Sequence, residues 1–389
     1  MIPFNKPYLT GNEASHIEAA VRSGKISGNG DFTKKCQHFF ENKYGFRKCL
    51  LTTSCTDALE MAAMLCNIQP EDEVIVPSFT FVSTALAFVR QGAKVIFADS
   101  MSDQPNIDAE KIEPLITPKT KVIVVVHYAG VVCDMIKIMD IAKKYNLLVV
   151  EDAAQAIDSY YQSSLHAKTQ GEKYLQTIPA GSIGHLATFS FHETKNIIAG
   201  EGGMLVINEE KFIHRAEIIW EKGTNRAEFF RGEVNKYGWV DIGSSFLPSE
   251  VIAALLWAQL ENLDKIQKKR KQLWNEYFEA LTPLALQGKF KIQSIPEYST
   301  NNAHMFYIIC KSLEERTQLI DFLKSNGVLA VFHYLSLHKS EYYNNKHDGR
   351  VLTYSDYYSE CLVRLPLFYE LNNNDVQHIS KLIYNFYQG

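Results

Sequence analysis

Residues 120–154 read TKVIVVVHYAGVVCDMIKIMDIAKKYNLLVVEDAA and decide the fold class. The runs of valine, isoleucine and leucine at both ends do not alternate with polar residues, which is typical of strands buried on both faces. Residues 133–145 between them have helical spacing. A buried strand, a helix and a second buried strand form the repeating unit of a parallel sheet covered by helices. The sequence therefore predicts an α/β fold with a mostly parallel sheet.

The same alternation of strands and helices continues outward from this stretch. It predicts strands at 48–53, 73–77, 93–99, 186–191 and 203–208, and helices at 55–66, 80–90 and 108–116. The polar residues 162–180 have no clear period, and we interpret them as a surface loop or insertion.

Beyond residue 248 the pattern changes to a mixed α+β order. It predicts a long bridging helix at 248–281 that ends before Pro283, followed by strands at 304–310 and 329–335 and helices at 314–325 and 373–387. We therefore expect a large domain over residues 1–248, and a bridging helix with a smaller C-terminal domain over residues 249–389.

The composition excludes several classes of protein. A formal net charge of −4 argues against nucleic acid or an anionic membrane as the main partner. No apolar run approaches the roughly 18 residues of a membrane span, and the N-terminus does not read as a signal peptide. The seven cysteines contain no C-x-x-C pair, so a disulfide framework or a zinc site is not expected. We expect a cytoplasmic protein without a bound metal.

Three sites carry residue types suited to chemistry. Asp152 ends a buried strand, where ligands bind in open α/β sheets, although from position alone a helix cap is the more ordinary role there. Lys195 stands between a strand and the glycines of residues 200–203, although most lysines are solvated surface residues. Ser54 and Thr56 lie at the start of a predicted helix. The first turn of such a helix is suited to bind an anion, and the alternative is that Ser54 or Thr56 simply caps the helix.

Together these sites match the needs of pyridoxal 5'-phosphate (PLP). That cofactor requires an anion site for its phosphate, a carboxylate for its ring nitrogen and a lysine for its aldehyde. The fingerprints of a P-loop and of a dinucleotide-binding fold are both missing from the sequence, which argues against a nicotinamide-dependent dehydrogenase or epimerase.

The strings TTSCTDALEMAA, VVEDAAQA, GHLATFSFHETKN and GEGGMLVIN resemble the PLP-dependent aminotransferases that act on nucleotide-linked keto sugars. The resemblance covers nearly the whole chain and implies the aspartate-aminotransferase-like fold, called fold type I. SGNGDFT, EKGTNRAEFFRG and RLPLFY resemble the subgroup that aminates carbon 4 of dTDP-4-keto-6-deoxy-glucose with glutamate, giving the galacto amine for enterobacterial common antigen.

By the same resemblance, Lys195 binds the cofactor aldehyde as a Schiff base and Asp152 holds the pyridine nitrogen. Gln155 is expected beside the phenolic oxygen and Phe81 on the ring face, although a core aromatic is the alternative for Phe81. The phosphate is expected to be bound by four residues, namely Ser54, Cys55, Thr56 and Ser190.

The substrate residues are predicted from charge and resemblance. Lys222, Arg226 and Arg231 are candidates for the nucleotide diphosphate, with a solvated helix end as the alternative. His304 and His333 lie in strings that resemble substrate-facing ones, although for each histidine taken singly a core or surface role is the more ordinary one.

The resemblance implies a homodimer. Many relatives have a GYNYR-like string that carries an asparagine to the neighbouring phosphate, whereas this chain has DIGSSFLPSE with Ser245 in its place. That departure puts a cross-subunit phosphate contact in doubt. Amination to the gluco amine or at carbon 3, and a regulator of this fold without catalysis, are the alternatives. A sugar dehydratase is disfavoured, because those relatives carry histidine where this chain has Lys195.

Overall fold

The predicted buried strands assemble into one seven-stranded sheet in a computed structural model that describes residues 1–166 and 173–388. The strand order is β1-β9-β8-β5-β4-β2-β3, and all neighbours are parallel except β9, which is antiparallel to β1 and β8. The strands are β1 (Lys48–Thr52), β2 (Glu73–Pro77), β3 (Lys94–Ala98), β4 (Thr120–Val126), β5 (Leu148–Asp152), β8 (Leu186–Ser190) and β9 (Gly203–Ile207). The predicted α/β class is confirmed.

Helices cover both faces of this sheet. They are α1 (Glu13–Arg22), α2 (Asp31–Tyr44), α3 (Cys55–Leu65), α4 (Val82–Val89), α5 (Met135–Tyr145), α6 (Ile213–Trp220), α7 (Arg226–Arg231), α8 (Glu250–Leu260) and α9 (Leu263–Leu286). Side chains alternate along each strand. Ile123 and Val125 therefore enter one core with α2, α5 and α8, whereas Val122 and Val124 enter the other with α3 and α4.

A second, four-stranded antiparallel sheet follows α9 in the order β10-β11-β13-β12. Its elements are β10 (Lys291–Ile292), β11 (Phe306–Ile309), α10 (Leu313–Ser325), β12 (Val331–Phe332), α11 (Thr353–Cys361), β13 (Leu362–Leu365) and α12 (Asn373–Gln388). These elements share a core with the second half of α9, and Ile2 packs against that core from the start of the chain. The domain boundary at residue 248 stays a prediction.

Side chains cover both edges of the seven-stranded sheet. On β3, the Val95 amide donates to the Tyr343 hydroxyl at 2.8 Å and Arg350 donates to the Phe97 carbonyl at 2.9 Å. On β1, the Cys49 amide donates to Glu41 at 3.0 Å. Gln37 donates to the Cys49 carbonyl, and Trp220 to that of Leu51, each at 2.7 Å.

Two helix predictions are wrong. The predicted helix at 108–116 consists of two 3-10 turns, Ala109–Lys111 and Glu113–Leu115, because Pro114 has no amide hydrogen with which to continue an α-helix. The predicted bridging helix is two helices, α8 and α9, separated at residues 261–262. Helix α9 continues through Pro283, close enough to its end that few hydrogen bonds are lost.

Residues 162–180 are predicted to be a surface loop or insertion, and the described part is a hairpin rather than a loop. Strands β6 (Tyr160–His166) and β7 (Lys173–Pro179) pair as an antiparallel hairpin, while residues 167–172 lie outside the described residues. Tyr161 is buried and bridges to Ser299, so the base of the hairpin is attached to the fold. Over the described ranges, no helix has the length and apolarity needed to cross a membrane.

Candidate active site

The first turn of α3 forms a cradle of free backbone amides at the end of β1. Ser54 is the N-cap, and its hydroxyl accepts a hydrogen bond from the Asp57 amide at 3.1 Å. The amides of Cys55 and Thr56 belong to the turn that has no carbonyl partners within the helix, and the positive end of the helix dipole lies there. Gly203 allows this placement, because a Cβ at that position would overlap the backbone of Ser54 and Cys55.

Asp152 lies at the end of β5 and is only 5% exposed. Its Oδ2 accepts from the Thr84 hydroxyl at 2.7 Å and its Oδ1 from the Ala154 amide at 3.1 Å. Burial raises the pKa of Asp152, although these hydrogen bonds and the charge of Lys195 partly oppose that shift. A carboxylate in this position gains from a cationic partner such as a protonated ring nitrogen.

The other face of β5 holds the strand end in place. Glu151 and His127 are fully buried, and the His127 Nε2 lies 2.8 Å from a Glu151 oxygen. Glu151 also accepts from the amides of Gly181 and Ile183 at 2.8 Å. Burial opposes ionisation, but these contacts outweigh it and hold the pKa of Glu151 below its usual value. The network fixes the backbone that carries Asp152.

Lys195 lies in the turn that follows β8, where its amide donates to the His192 carbonyl at 2.9 Å. Burial lowers the pKa of its amine, the nearby Cys55 and Asp152 oppose that shift, and the charge of Arg364 adds to it. Within the described residues the amine forms no ion pair with a carboxylate. A larger share of the amine is therefore in the neutral, nucleophilic form than for a surface lysine.

Gln155 and Phe81 border the same crevice. The Gln155 amide oxygen accepts from the Ala129 amide at 2.7 Å, and its nitrogen donates to the Tyr334 hydroxyl at 2.9 Å. The Phe81 side chain is 55% exposed at the N-terminal end of α4, and its ring centroid lies 6.1 Å from that of Tyr334. Such an exposed aromatic face, bordering a buried crevice, suits a flat ligand.

Strand β8 contributes two hydroxyl groups on the face that carries the cradle. Ser190, at the strand end, stands opposite Gly203 in the register. Thr188 stands opposite Asp152, and its buried hydroxyl has no hydrogen-bond partner among the described residues. An amide cradle, a buried carboxylate, an amine of lowered pKa, an open aromatic face and a free hydroxyl fit PLP, so the residues present are able to hold that cofactor.

The two predicted histidines lie near this site and are held by neighbours. His304 Nδ1 is 2.8 Å from the amide oxygen of Asn196, the residue after Lys195. His333 Nδ1 lies 2.6 Å from the Tyr128 hydroxyl oxygen. Burial lowers the pKa of both histidines well below the usual range, and the positive charges of Lys195 and Arg364 lower it further. Both rings are therefore neutral at pH 7.

The three predicted phosphate-binding cations lie elsewhere. Lys222, Arg226 and Arg231 line a separate cavity of about 930 Å³, together with Ser245, and none of the predicted cofactor residues lines it. Arg231 is already paired, at 2.8 Å to Glu217 and 2.7 Å to Glu233. Within one chain the structure therefore does not bring these cations to Lys195.

Comparison with known proteins gives consistent results. Residues 7–384 match the model of the DegT/DnrJ/EryC1/StrS aminotransferase family. The spore coat polysaccharide biosynthesis protein SpsC of Bacillus subtilis is 28% identical, and the alignment covers 100% of this chain and 97% of SpsC.

Solved structures superpose on the whole chain. Spr1654 from Streptococcus pneumoniae, named as a sugar aminotransferase and solved in its PMP form, has a TM-score of 0.88 at 25% identity, covering 100% of this chain and 99% of its own. Helicobacter pylori PseC, an aminotransferase involved in the biosynthesis of pseudoaminic acid, has a TM-score of 0.87 at 21% identity, covering 100% and 99%. The latter likeness concerns the fold alone.

These findings define the class of protein as a PLP-dependent sugar aminotransferase of fold type I. The chain belongs to the DegT/DnrJ/EryC1/StrS aminotransferase family. The predicted fold type, enzyme class and PLP cofactor are thereby confirmed.

Proposed function

We propose that this enzyme transfers the amino group of glutamate to carbon 4 of dTDP-4-keto-6-deoxy-D-glucose, giving dTDP-4-amino-4,6-dideoxy-D-galactose and 2-oxoglutarate. The observation that carries the catalytic part is the partly buried side chain of Lys195 in the turn that follows β8, whose amine has a pKa lowered by burial and forms no ion pair with a carboxylate in the described part of the chain. The choice of sugar rests on the resemblance of EKGTNRAEFFRG and RLPLFY to the enzymes of that reaction.

Each cofactor residue has a proposed task. The amides of Cys55 and Thr56, with the Ser54 and Ser190 hydroxyls, would hold the phosphate, and Asp152 the ring nitrogen. Gln155 would hold the phenolic oxygen. When bound, PLP supplies an electron sink for the negative charge that develops on the amino-bearing carbon.

Lys195 then performs the proton transfers. As a neutral amine it removes the proton from the α-carbon of glutamate, and its lowered pKa favours this role as a base. Asp152 stays ionised beside a cationic partner and stabilises it throughout. In the second half of the cycle Lys195 returns a proton to carbon 4 of the sugar, so the two substrates react in turn at one lysine.

The cavity around Lys222 and Arg226 is the proposed site for the nucleotide diphosphate, because these cations suit phosphate oxygens. Since this cavity is separate from Lys195 within one chain, we propose a homodimer in which the cations of one subunit serve the lysine of the other. Exposed apolar residues next to these cations support this assembly, namely Phe230, Tyr237, Trp239, Val240 and Ile242.

Two alternatives remain within the family. Amination to the gluco amine, or at carbon 3, uses the same residues and depends only on how the sugar ring lies in the crevice. A protein of this fold that regulates without catalysis is disfavoured by the intact set of Lys195, Asp152 and Gln155.

The test begins with absorbance spectra of the protein supplied with PLP. The wild type is expected to form a visible band that glutamate bleaches and that dTDP-4-keto-6-deoxy-glucose restores. The variant Lys195→Ala is expected to form no such band with PLP alone, while Lys211→Ala, which removes an exposed lysine paired with Glu209, keeps it. Nuclear magnetic resonance of the product would then identify the aminated carbon and its configuration.

The outcomes separate the alternatives. A product aminated at carbon 3, or the gluco amine, would replace the proposed specificity while leaving the chemistry intact. A protein that stays colourless with PLP would overturn the catalytic proposal and favour the regulator.

A further inference from the structure

The stretch of chain from the end of β2 into the first turn of α4 reaches three parts of the candidate cofactor site. Phe81 presents its ring to the crevice from the start of α4. The Ser83 hydroxyl oxygen lies 2.8 Å from that of Thr56 in the amide cradle, and the Thr84 hydroxyl donates to Asp152 at 2.7 Å. A displacement of this stretch would therefore disturb the contacts to the phosphate, the ring face and the ring nitrogen together.

The start of this stretch, residues 78–84, is held by the C-terminal part of the chain. Ser78 is fully buried directly after β2, and its hydroxyl oxygen lies 2.7 Å from Nδ1 of His338. The same oxygen accepts from the His338 amide at 3.3 Å, and the Ser78 carbonyl accepts from the Leu337 amide at 3.0 Å. Ser78 is thus joined to a turn that lies 260 positions further along the chain.

A carboxylate lies on the other side of the His338 ring. Oδ1 of Asp356, on α11, is 3.6 Å from Nε2 of His338 and is buried without a hydrogen-bond partner among the described residues. Its Oδ2 lies 2.7 Å from the Lys339 ammonium. A proton on Nε2 faces this carboxylate, and that tautomer leaves Nδ1 free to accept the proton of the Ser78 hydroxyl.

A serine, a histidine and a carboxylate in a row also form the catalytic group of many hydrolases, but burial decides against that role here. Ser78 is fully buried and His338 is only 5% exposed, so a substrate cannot reach the serine oxygen. That oxygen is also engaged by the His338 amide. The arrangement is therefore suited to hold the backbone at the end of β2 rather than to attack a substrate.

The neighbouring His347 shows a histidine with a local role. Its ring centre lies 4.9 Å from that of His338, and its Nε2 lies 2.8 Å from the Arg350 carbonyl oxygen, three positions away. This contact stays within one loop, whereas the contact of His338 reaches the large sheet. The two rings share their surroundings but differ in what they hold.

We propose that His338 is a positioning residue that acts through Ser78 to hold residues 78–84 in the arrangement that binds PLP. This inference rests on the proposed function, because it takes Phe81 and Asp152 as cofactor contacts. Without the hydrogen bond between His338 and Ser78, the start of this stretch loses its tie to the C-terminal part of the chain. PLP is then expected to bind more weakly.

The experiment compares two replacements of His338 that separate its ring volume from its hydrogen bond. His338→Phe keeps a ring and removes the acceptor, whereas His338→Asn loses the ring and keeps an acceptor near the position of Nδ1. The dissociation constant for PLP is measured by titrating the full-length, PLP-free protein and following the visible band. It is expected to rise by about tenfold in His338→Phe, the size of one buried hydrogen bond, and by less in His338→Asn.

His347→Phe is the matched control, because it makes the same replacement in the neighbouring ring. Its dissociation constant for PLP is expected to equal that of the wild type, whatever its effect on the melting temperature. Ser78→Ala is expected to match His338→Phe, and the double variant to bind PLP no more weakly than either single variant, because both changes remove the same hydrogen bond. A second readout is the circular dichroism of the visible band at saturating PLP, which is expected to fall in His338→Phe.

The outcomes are distinct. If His338→Asn binds PLP more weakly than His338→Phe, or His347→Phe loses as much affinity, the His338 ring only fills space and the proposal is overturned. A wild-type enzyme that glutamate bleaches, with an unchanged PLP affinity in His338→Phe, would overturn the role of His338 and leave the proposed function standing. A wild-type protein that binds no PLP would overturn both. If His338→Phe does not fold, an unchanged PLP affinity in Ser78→Ala still counts against the proposal.

Discussion

The crevice at Lys195 and the surface at residues 222–245 both carry residues that the proposed function assigns to one reaction. The two regions differ in their burial and in the hydrogen bonding of their side chains. Asp152 is buried and hydrogen-bonded at both carboxylate oxygens. Trp239 is 85% exposed, on a segment that also exposes Phe230 and Tyr237. In the proposed function, the cofactor residues all come from one chain, whereas the cations proposed for the substrate lie on an exposed surface that a second subunit would cover.

Of the substitutions that test this comparison, the largest loss of activity is expected in the crevice at Lys195. Replacing Asp152 with asparagine removes the negative charge opposite the ring nitrogen, and the glutamate half-reaction is expected to slow by about a hundredfold to a thousandfold. Stopped-flow absorbance of the PLP-loaded variant measures this rate. The control Thr84→Val keeps the carboxylate and removes one hydrogen bond, so its loss is expected to be much smaller. Equal rates in Asp152→Asn and the wild type would contradict the assignment.

The next effect concerns the exposed surface. Placing a charge there with Trp239→Asp is expected to weaken self-association by about tenfold or more, because buried tryptophans dominate many interfaces. Sedimentation equilibrium measures the change. Leu286→Asp is the control, since Leu286 is 84% exposed but lies at the end of α9, away from this surface. A wild-type protein that is monomeric and fully active would contradict the proposal that a second subunit covers the surface at residues 222–245.

The smallest effect separates two arginines of the same cavity. Arg226→Gln is expected to raise the half-saturating concentration of the keto sugar by about tenfold. Arg231→Gln is expected to change it less, because Glu217 and Glu233 already occupy that guanidinium. Steady-state kinetics with each substrate varied checks both. A comparable rise in the glutamate constant would show that these residues serve the whole site rather than the nucleotide.

Much of the large sheet could be predicted from local patterns. The strands predicted at 120–127 and 147–154 match β4 and β5 to within two residues, because a strand covered on both faces needs apolar residues throughout. The helix ends were harder to predict. Pro283 does not end α9, because it lies in the last turn of that helix. Glu261 and Asn262 separate α8 from α9, but they are neither glycine nor proline and so give no signal of a helix break in the sequence.

The candidate site was also only partly predictable from the sequence. Lys195 and Asp152 lie in sequence motifs that are specific enough to this family to be recognised from the sequence alone. Thr84, Asn302 and Arg364 were missed, because each meets the site only through contacts between distant parts of the chain. Asn302, for example, donates to the carbonyls of Gln155 and Ile157, about 150 positions away, at 2.7 and 2.8 Å.

The covered edges of the seven-stranded sheet have a consequence for solubility. An open edge strand offers a row of free amides and carbonyls that can recruit a strand from another molecule and start aggregation. Here several outward groups of β1 and β3 are hydrogen-bonded to side chains, including Gln37, Trp220 and Tyr343. A strand from another molecule would have to displace these side chains before it could pair with β1 or β3.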